Sequence, residues 1–122
     1  MIGPSGPVKW VSVENIHFEY KSAAIEPDCS KKLSWLAGWL IENSDMVLTL
    51  DGHTDLVGID DGSPALSERR VVAVKSALVA AGVDARRIYA EPAGVKALLC
   101  HNHTELCAHR NRRVEILIGE QL

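Results

Sequence analysis

Two side chains of opposite charge, Asp55 and Arg70, stand where an α/β chain places ligand-binding groups. Asp55 follows residues 46–50 (Met-Val-Leu-Thr-Leu), an apolar run that reads as a buried strand. Ligands of α/β sheets bind beyond the C-terminal ends of such strands. Ser63-Pro64 then opens a helix, with serine as N-cap and proline at the first helical position. Arg70 comes about two turns into that helix. A strand-loop-helix unit folds this turn back beside the strand's mouth, so a carboxylate and a guanidinium would face one cleft. Such a pair suits a zwitterion: Asp55 for an ammonium, Arg70 for a carboxylate through its planar fork. The same two residues also fit a plain ion pair with no ligand.

Three other groups of residues carry potential chemistry. Cys100, His101, His103, Cys107 and His109 crowd potential metal ligands into one short stretch, which invites a zinc site. Their spacing matches no standard finger. A Cys100–Cys107 disulfide in an oxidising compartment is the expectation, with free thiols or a metal as the alternatives. Chain-entropy arithmetic gives so short a loop about 2–3 kcal/mol. Cys29 reads as a free, partly buried thiol. His53, between Asp51 and Asp55, raises acid–base catalysis or metal binding. No nucleophile is placed beside it, since Ser63 and Ser67 lack a recognisable elbow, so His53 is expected to hold its loop by hydrogen bonding. Arg112 and Arg113 open an alternating strand, one facing solvent and the other the ligand cleft or an acidic loop. A solvated strand start fits them as well.

These groups need elements to hold them. Residues 11–18 alternate apolar and polar, with a slip near Asn15, and predict a strand with a bulge. Glu26-Pro27-Asp28 opens a helix whose stripe is Leu33, Leu36, Ala37, Leu40 and Ile41, widened by Trp35 and Trp39. Asn43-Ser44-Asp45 stops it. The tryptophan pair reads as core or a protein interface before it reads as a sugar-stacking platform. The second helix carries Leu66, Arg70, Val74, Leu78 and Ala81 on one stripe flanked by Val71, and Gly82 is its natural C-terminal stop. Ile88-Tyr89-Ala90 is a third strand, 92–110 a long polar loop, and 112–118 a final strand with one buried face. The order is β-α-β-α-β-loop-β. Right-handed crossovers make the first three strands parallel, and the last is antiparallel. The fold class is therefore α/β, a two-layer βαβαββ sandwich with a four-stranded mixed sheet and two main helices on one face.

The chain has 122 residues, enough for one domain. Apolar residues make up 47%, which excludes intrinsic disorder, and aromatics only 5%, which leaves the core to Leu, Val, Ile and Ala. Sixteen acids against thirteen bases argue against a nucleic-acid partner, which needs a basic face. The longest apolar runs fall far short of the ~20 residues of a transmembrane helix. Residues 1–10 read as a linker or leader without the pattern of a signal peptide, and 11–122 as the domain.

Three motifs in order now become specific: Gly52-His53-Thr54-Asp55-x-x-Gly58, then Leu66-Ser67-x-x-Arg70 with Val74 and Leu78, then Asn111-Arg112-Arg113-Val114-Glu115. Together they resemble the OmpA-like C-terminal domain, a family that includes peptidoglycan-associated lipoproteins and the periplasmic part of flagellar stator proteins. Ile16-x-Phe18 with Ser22 and Ile25 is similar to the family's opening strand and loop. The resemblance spans about residues 11–118.

The resemblance implies a noncatalytic binder of peptidoglycan, with no cofactor, in the periplasm, as the wall-facing domain of a membrane-anchored or outer-membrane protein. It puts Asp55 and Arg70 on the diaminopimelate of the stem peptide, whose distal amino and carboxyl groups form the zwitterion deduced above. Thr54, Leu66, Ser63, Arg113 and the residues around Phe18 would complete the cleft, and backbone N–H groups at the second helix's start would add to carboxylate binding. Ser63 stands where the family usually has Asn, which keeps the cap but removes an amide. Val71 replaces the usual Ala, and the Gly-rich stretch after the third strand is weaker, at 90–94. The alternatives are the same fold without wall binding, serving as a protein-interaction or homodimerisation module of an envelope assembly, and a metal-assisted hydrolase using His53 and the Cys/His loop.

Overall fold

A computed structural model describes residues 10–19, 22–53, 64–94 and 112–120. The elements run β1 (Val11–His17), α1 (Pro27–Glu42), β2 (Met46–His53), α2 (Pro64–Ala80), a 3-10 turn (Ala85–Arg87), β3 (Ile88–Gly94) and β4 (Arg113–Glu120). The strands form one sheet in the order β1-β4-β2-β3. β2 and β3 are parallel, while β4 is antiparallel to both β1 and β2. The first three strands thus share a direction, and the last inserts between the first two. The two-layer α/β expectation holds.

The apolar residues on one face of the sheet meet both helices. Ile16, Leu48, Leu50, Ile88, Val114 and Ile116 join Leu33, Leu36, Ala37 and Leu40 of α1 and Val71, Val74 and Leu78 of α2 in one cluster. In each strand these residues keep the period of two that one buried face demands.

Several local expectations are corrected. The β1 bulge falls between Ser12 and Glu14, earlier than Asn15, and Val13 is the inserted residue. Val11 and Val13 are exposed, while Ile16 beyond the bulge is fully buried. An inserted residue switches the face that later side chains occupy. β2 and β3 both extend past their expected ends at Leu50 and Ala90, because they continue to pair through Gly52 and Pro92. Pro92 is accommodated because β3 lies at the sheet edge, where a missing N–H costs no ladder bond on the open side. Ile41 and Trp35 leave the apolar stripe of α1 and are exposed, Trp35 by 73%. At 100° per residue Trp35 points away from Leu33, Leu36 and Leu40. Trp39 is partly buried against the core. Ala81 is exposed, because α2 ends at Ala80. Cys29 is a free thiol and is buried.

Both helices end on specific hydrogen bonds. Gly82 adopts φ +108°, the left-handed region. Its N–H donates to Val79 O at 3.0 Å and that of Val83 to Leu78 O at 3.1 Å, the paired closure of a helix that stops on glycine. The end of α1 is held from outside. Arg87 Nη2 donates to Asn43 O (2.8 Å) and Met46 O (2.8 Å), and its Nε to Met46 O (3.0 Å). One guanidinium thereby joins the turn before β3 to the α1–β2 junction and satisfies carbonyls that no helix bond reaches. Arg87→Ala is expected to lower stability by about 1–3 kcal/mol and the melting temperature by roughly 5–10 °C. Thermal unfolding followed by circular dichroism checks this.

Candidate functional site

β1 and β2 point the same way, and both end beside the start of β4: His17 pairs with Arg113, and Gly52 with Val114. The C-terminal ends of two strands therefore share one edge of the sheet, with the first residues of β4 between them. Residues 18–19 leave β1 there, and the segment that follows His53 leaves β2 there.

Arg70 of α2 reaches the loop after β1. Its Nε donates to Ser22 O at 2.9 Å and its Nη2 to Glu19 O at 3.2 Å. Its guanidinium carbon lies 5.4 Å from the centre of the Phe18 ring. The side chain is fully buried, as are Phe18 and Leu66, one helical turn before it. A guanidinium removed from water must find acceptors, and the two loop carbonyls supply partial negative charge in the direction of its fork. The Phe18 ring face adds a cation–π contact. Arg70 is thus both a buried positive charge and the clamp of the β1–α1 loop.

A second arginine holds the same phenylalanine from the other side. Arg112 Nε donates to Phe18 O at 2.9 Å, and Phe18 N–H donates to Arg112 O at 2.8 Å, which carries the β1–β4 pairing one step past the strand. Arg112 is 1% exposed, so neither arginine of the pair faces solvent, contrary to expectation. The sequence held a signal for this. Arg112 shares parity with Val114 and Ile116, which face the core.

Arg113 takes the other face of the sheet. Strand alternation sets it with His17, Asp51 and Glu115, opposite to Val114 and Ile116. Burial pushes its guanidinium down from the ordinary arginine value, while the charges of Glu115 and Asp51 act the other way. Glu115 also accepts a hydrogen bond from Ser12 Oγ at 2.9 Å. Of the expected site residues, Phe18, Leu66 and Arg70 lie on the helix side of the sheet and Arg113 on the opposite side. Thr54, Asp55, Ser63, Cys100 and Cys107 lie outside the described residues, as do His101, His103 and His109; of His53 only the backbone is described. Among the described residues no group of three or more His, Cys, Asp or Glu is arranged to hold a metal.

With this geometry in place, comparison with known proteins is informative. The family model described as the OmpA family matches residues 17–112. The chain belongs to the OmpA family. It is 35% identical over 105 residues to the probable lipoprotein YiaD of Escherichia coli K12, covering 86% of this chain and 48% of that protein. It is 32% identical over 105 residues to a peptidoglycan-associated lipoprotein of Pseudomonas aeruginosa, covering 86% of this chain and 62% of that one. The chain thus spans about half to three-fifths of the length of these relatives. The crystal structure of the peptidoglycan-associated lipoprotein from Burkholderia pseudomallei superposes with a TM-score of 0.80 at 24% identity, over 85% of this chain and 88% of that one. The C-terminal domain of Helicobacter pylori MotB superposes at 0.74 and 22% identity, over 87% and 84%. These two show the OmpA-family fold. No helix among the described residues is long and apolar enough to cross a membrane.

The clamp has a measurable consequence. Arg70→Ala leaves the carbonyls of Glu19 and Ser22 without their donor and a void beside Phe18, and is expected to cost about 3 kcal/mol or more. Arg70→Lys, which keeps the charge but lacks the fork, should cost less. Urea unfolding of both variants checks the order; unchanged midpoints would show that the clamp does not support the fold.

Proposed function

We propose that this domain binds peptidoglycan without catalysis, through the diaminopimelate residue of the stem peptide, and so ties an envelope protein to the cell wall. The domain works in the periplasm, as the wall-facing part of a membrane-anchored or outer-membrane protein. Arg70 is the supporting observation. A buried guanidinium stands at the sheet edge where two parallel-running strands end, which is where α/β sheets take ligands. Family membership supplies the substrate class, since relatives carry peptidoglycan in their names.

In this reading Arg70 takes the distal carboxylate of diaminopimelate, and low surrounding polarity strengthens that charge-assisted bond. Asp55, two residues past the end of β2, takes the ammonium. Thr54 and Ser63 offer hydroxyls from the same connection, and Leu66 and Phe18 supply apolar walls that keep water from the pair. Arg113, expected to complete the cleft, lies on the other face of the sheet and is assigned no ligand contact in this reading. Recognition of one small zwitterionic tip is local, so a dissociation constant on the order of micromolar to millimolar is expected.

Because Arg70 also supports the fold, Asp55→Ala is the cleaner probe. It is expected to abolish pull-down by diaminopimelate-type sacculi while leaving the circular dichroism spectrum unchanged. Sacculi with lysine at the same stem position lack the distal carboxylate and should be retained at least about tenfold less well. Equal retention of both wall types would refute diaminopimelate recognition, and unchanged retention of Asp55→Ala would refute the site.

The compartment also bears on the late cysteines. We propose that Cys100 and Cys107 form an intramolecular disulfide in oxidised protein. Peptide mapping without reduction should recover them linked; finding both alkylated would refute the bond.

A further inference from the structure

The outward side of α1 carries an exposed indole that neither the core nor the proposed wall site uses. Trp35 is 73% exposed there. With Ser34, Gly38, Trp39 and Glu42 it lines a shallow groove. Gly38 forms the floor of this groove, and a Cβ built on it would meet nothing within 4 Å. Packing inside the subunit therefore does not call for glycine at this position, although glycine weakens a helix interior relative to other residues. A projecting indole and an open notch thus lie one turn apart on the same helix face.

The face is also patterned. Lys31, Trp35, Gly38 and Glu42 are all exposed and follow one another at steps of four, three and four, the spacing of a helix–helix seam. When two copies of α1 are laid antiparallel about a two-fold axis so that Trp35 of each fills the Gly38 notch of the other, the register is set. That same register places Lys31 opposite Glu42 of the second copy, twice by symmetry, and Ser34 opposite Trp39. Among the described residues neither Lys31 nor Glu42 has an ion-pair partner within its own subunit. Shape and charge select one occupant, because the patch is complementary to itself, as a two-fold interface requires. Small residues at such a seam let the two helix axes approach closely.

We propose that the Lys31–Trp35–Gly38–Glu42 face of α1 is a homodimer interface in which two copies of this chain pair antiparallel, Trp35 of each seated on Gly38 of the other. The contact is one helix face per subunit, smaller than a standard interface, so self-association is weak and rises with local concentration. A wall-bound population supplies that concentration by tethering.

Sedimentation equilibrium of the 122-residue chain from about 10 µM to about 1 mM tests this, with an expected dissociation constant on the order of 100 µM. Trp35→Ala should weaken dimerisation at least about tenfold. Gly38→Gln should weaken it as much while raising the melting temperature of the monomer, opposite signs that a purely structural glycine would not produce. Lys31→Glu and Glu42→Lys should each weaken it about three- to tenfold, and the double variant Lys31→Glu/Glu42→Lys should return to within about twofold of the original. All four positions are exposed, so the variants are expected to fold, which circular dichroism of each checks. A chain that stays monomeric throughout, as it would if a different protein or a glycan occupied this face, overturns the proposal. So does a dimer indifferent to these substitutions, or a double charge reversal no better than the singles.

Discussion

A guanidinium with no contact to water constrains everything around it. Arg70 is fully buried, and its Nε and Nη2 donate to the carbonyls of Ser22 and Glu19. A charge in that setting is tolerated only where acceptors are already in place, so the loop between β1 and α1 must take the course that presents them. Phe18 must lie beneath the guanidinium, which requires β1 to end where it does. Arg112 then secures Phe18 through its backbone, so that a strand, a helix and the start of the last strand converge on one aromatic residue. The proposed binding of a carboxylate would draw on this same guanidinium. A positive charge already held by protein carbonyls needs little reorganisation when a carboxylate arrives.

The insertion of β4 between β1 and β2 makes that convergence possible. Had β1 and β2 been neighbours, their ends would abut and leave no room for residues 112–114 between them. With β4 in the middle, antiparallel to both, the sheet gains full ladders on both sides of its last strand, and the two strand ends are held apart by one strand width, about 5 Å to each side. The same topology separates the two arginines of the final motif. Arg112 joins the helix side and Phe18, while Arg113 goes to the outer side with Asp51 and Glu115. A tandem of like residues thus divides between the two faces, because a strand turns alternate side chains to opposite sides.

α1 shows the complementary point. Its inner stripe builds the core with small and medium aliphatic residues, so the helix has no internal use for Trp35 or for a glycine at 38. That the outward face nevertheless carries a large indole beside a notch, bracketed by a lysine and a glutamate, is what gives the face its self-complementary character. The proposed wall site draws on α2 and the ends of β1 and β2, and this face on α1 alone, so the two place separate demands on the chain.

Much of the fold was legible in the sequence. The stripe Leu66, Arg70, Val74 and Leu78 on α2, the glycine that ends it, the aliphatic stripe of α1 and the alternation of β4 all follow from periods that backbone geometry imposes locally, and the motif spacing carried the family. Arg70 was legible as a member of that stripe for the same reason, while Asp55, its expected counterpart, lies outside the described residues. The misjudged features depend on neighbours distant in the chain. Strand length in β2 and β3 is decided by how far two ladders can continue together, and the tolerance of Pro92 by its being at an edge. The bulge at Val13 is decided by register against β4. Burial of Trp35 depends on whether anything packs over the far side of α1, and among the described residues nothing does. Arg70's second role was invisible because its partners are backbone carbonyls, which every residue possesses and no side-chain pattern announces. The sequence by itself determined which segments become helix or strand and which charges gather at their ends, through interactions of a few residues' range. Only the tertiary structure decided which of those charges are buried, which carbonyls receive them and which apolar face remains uncovered, since each is a property of chains meeting across the sheet.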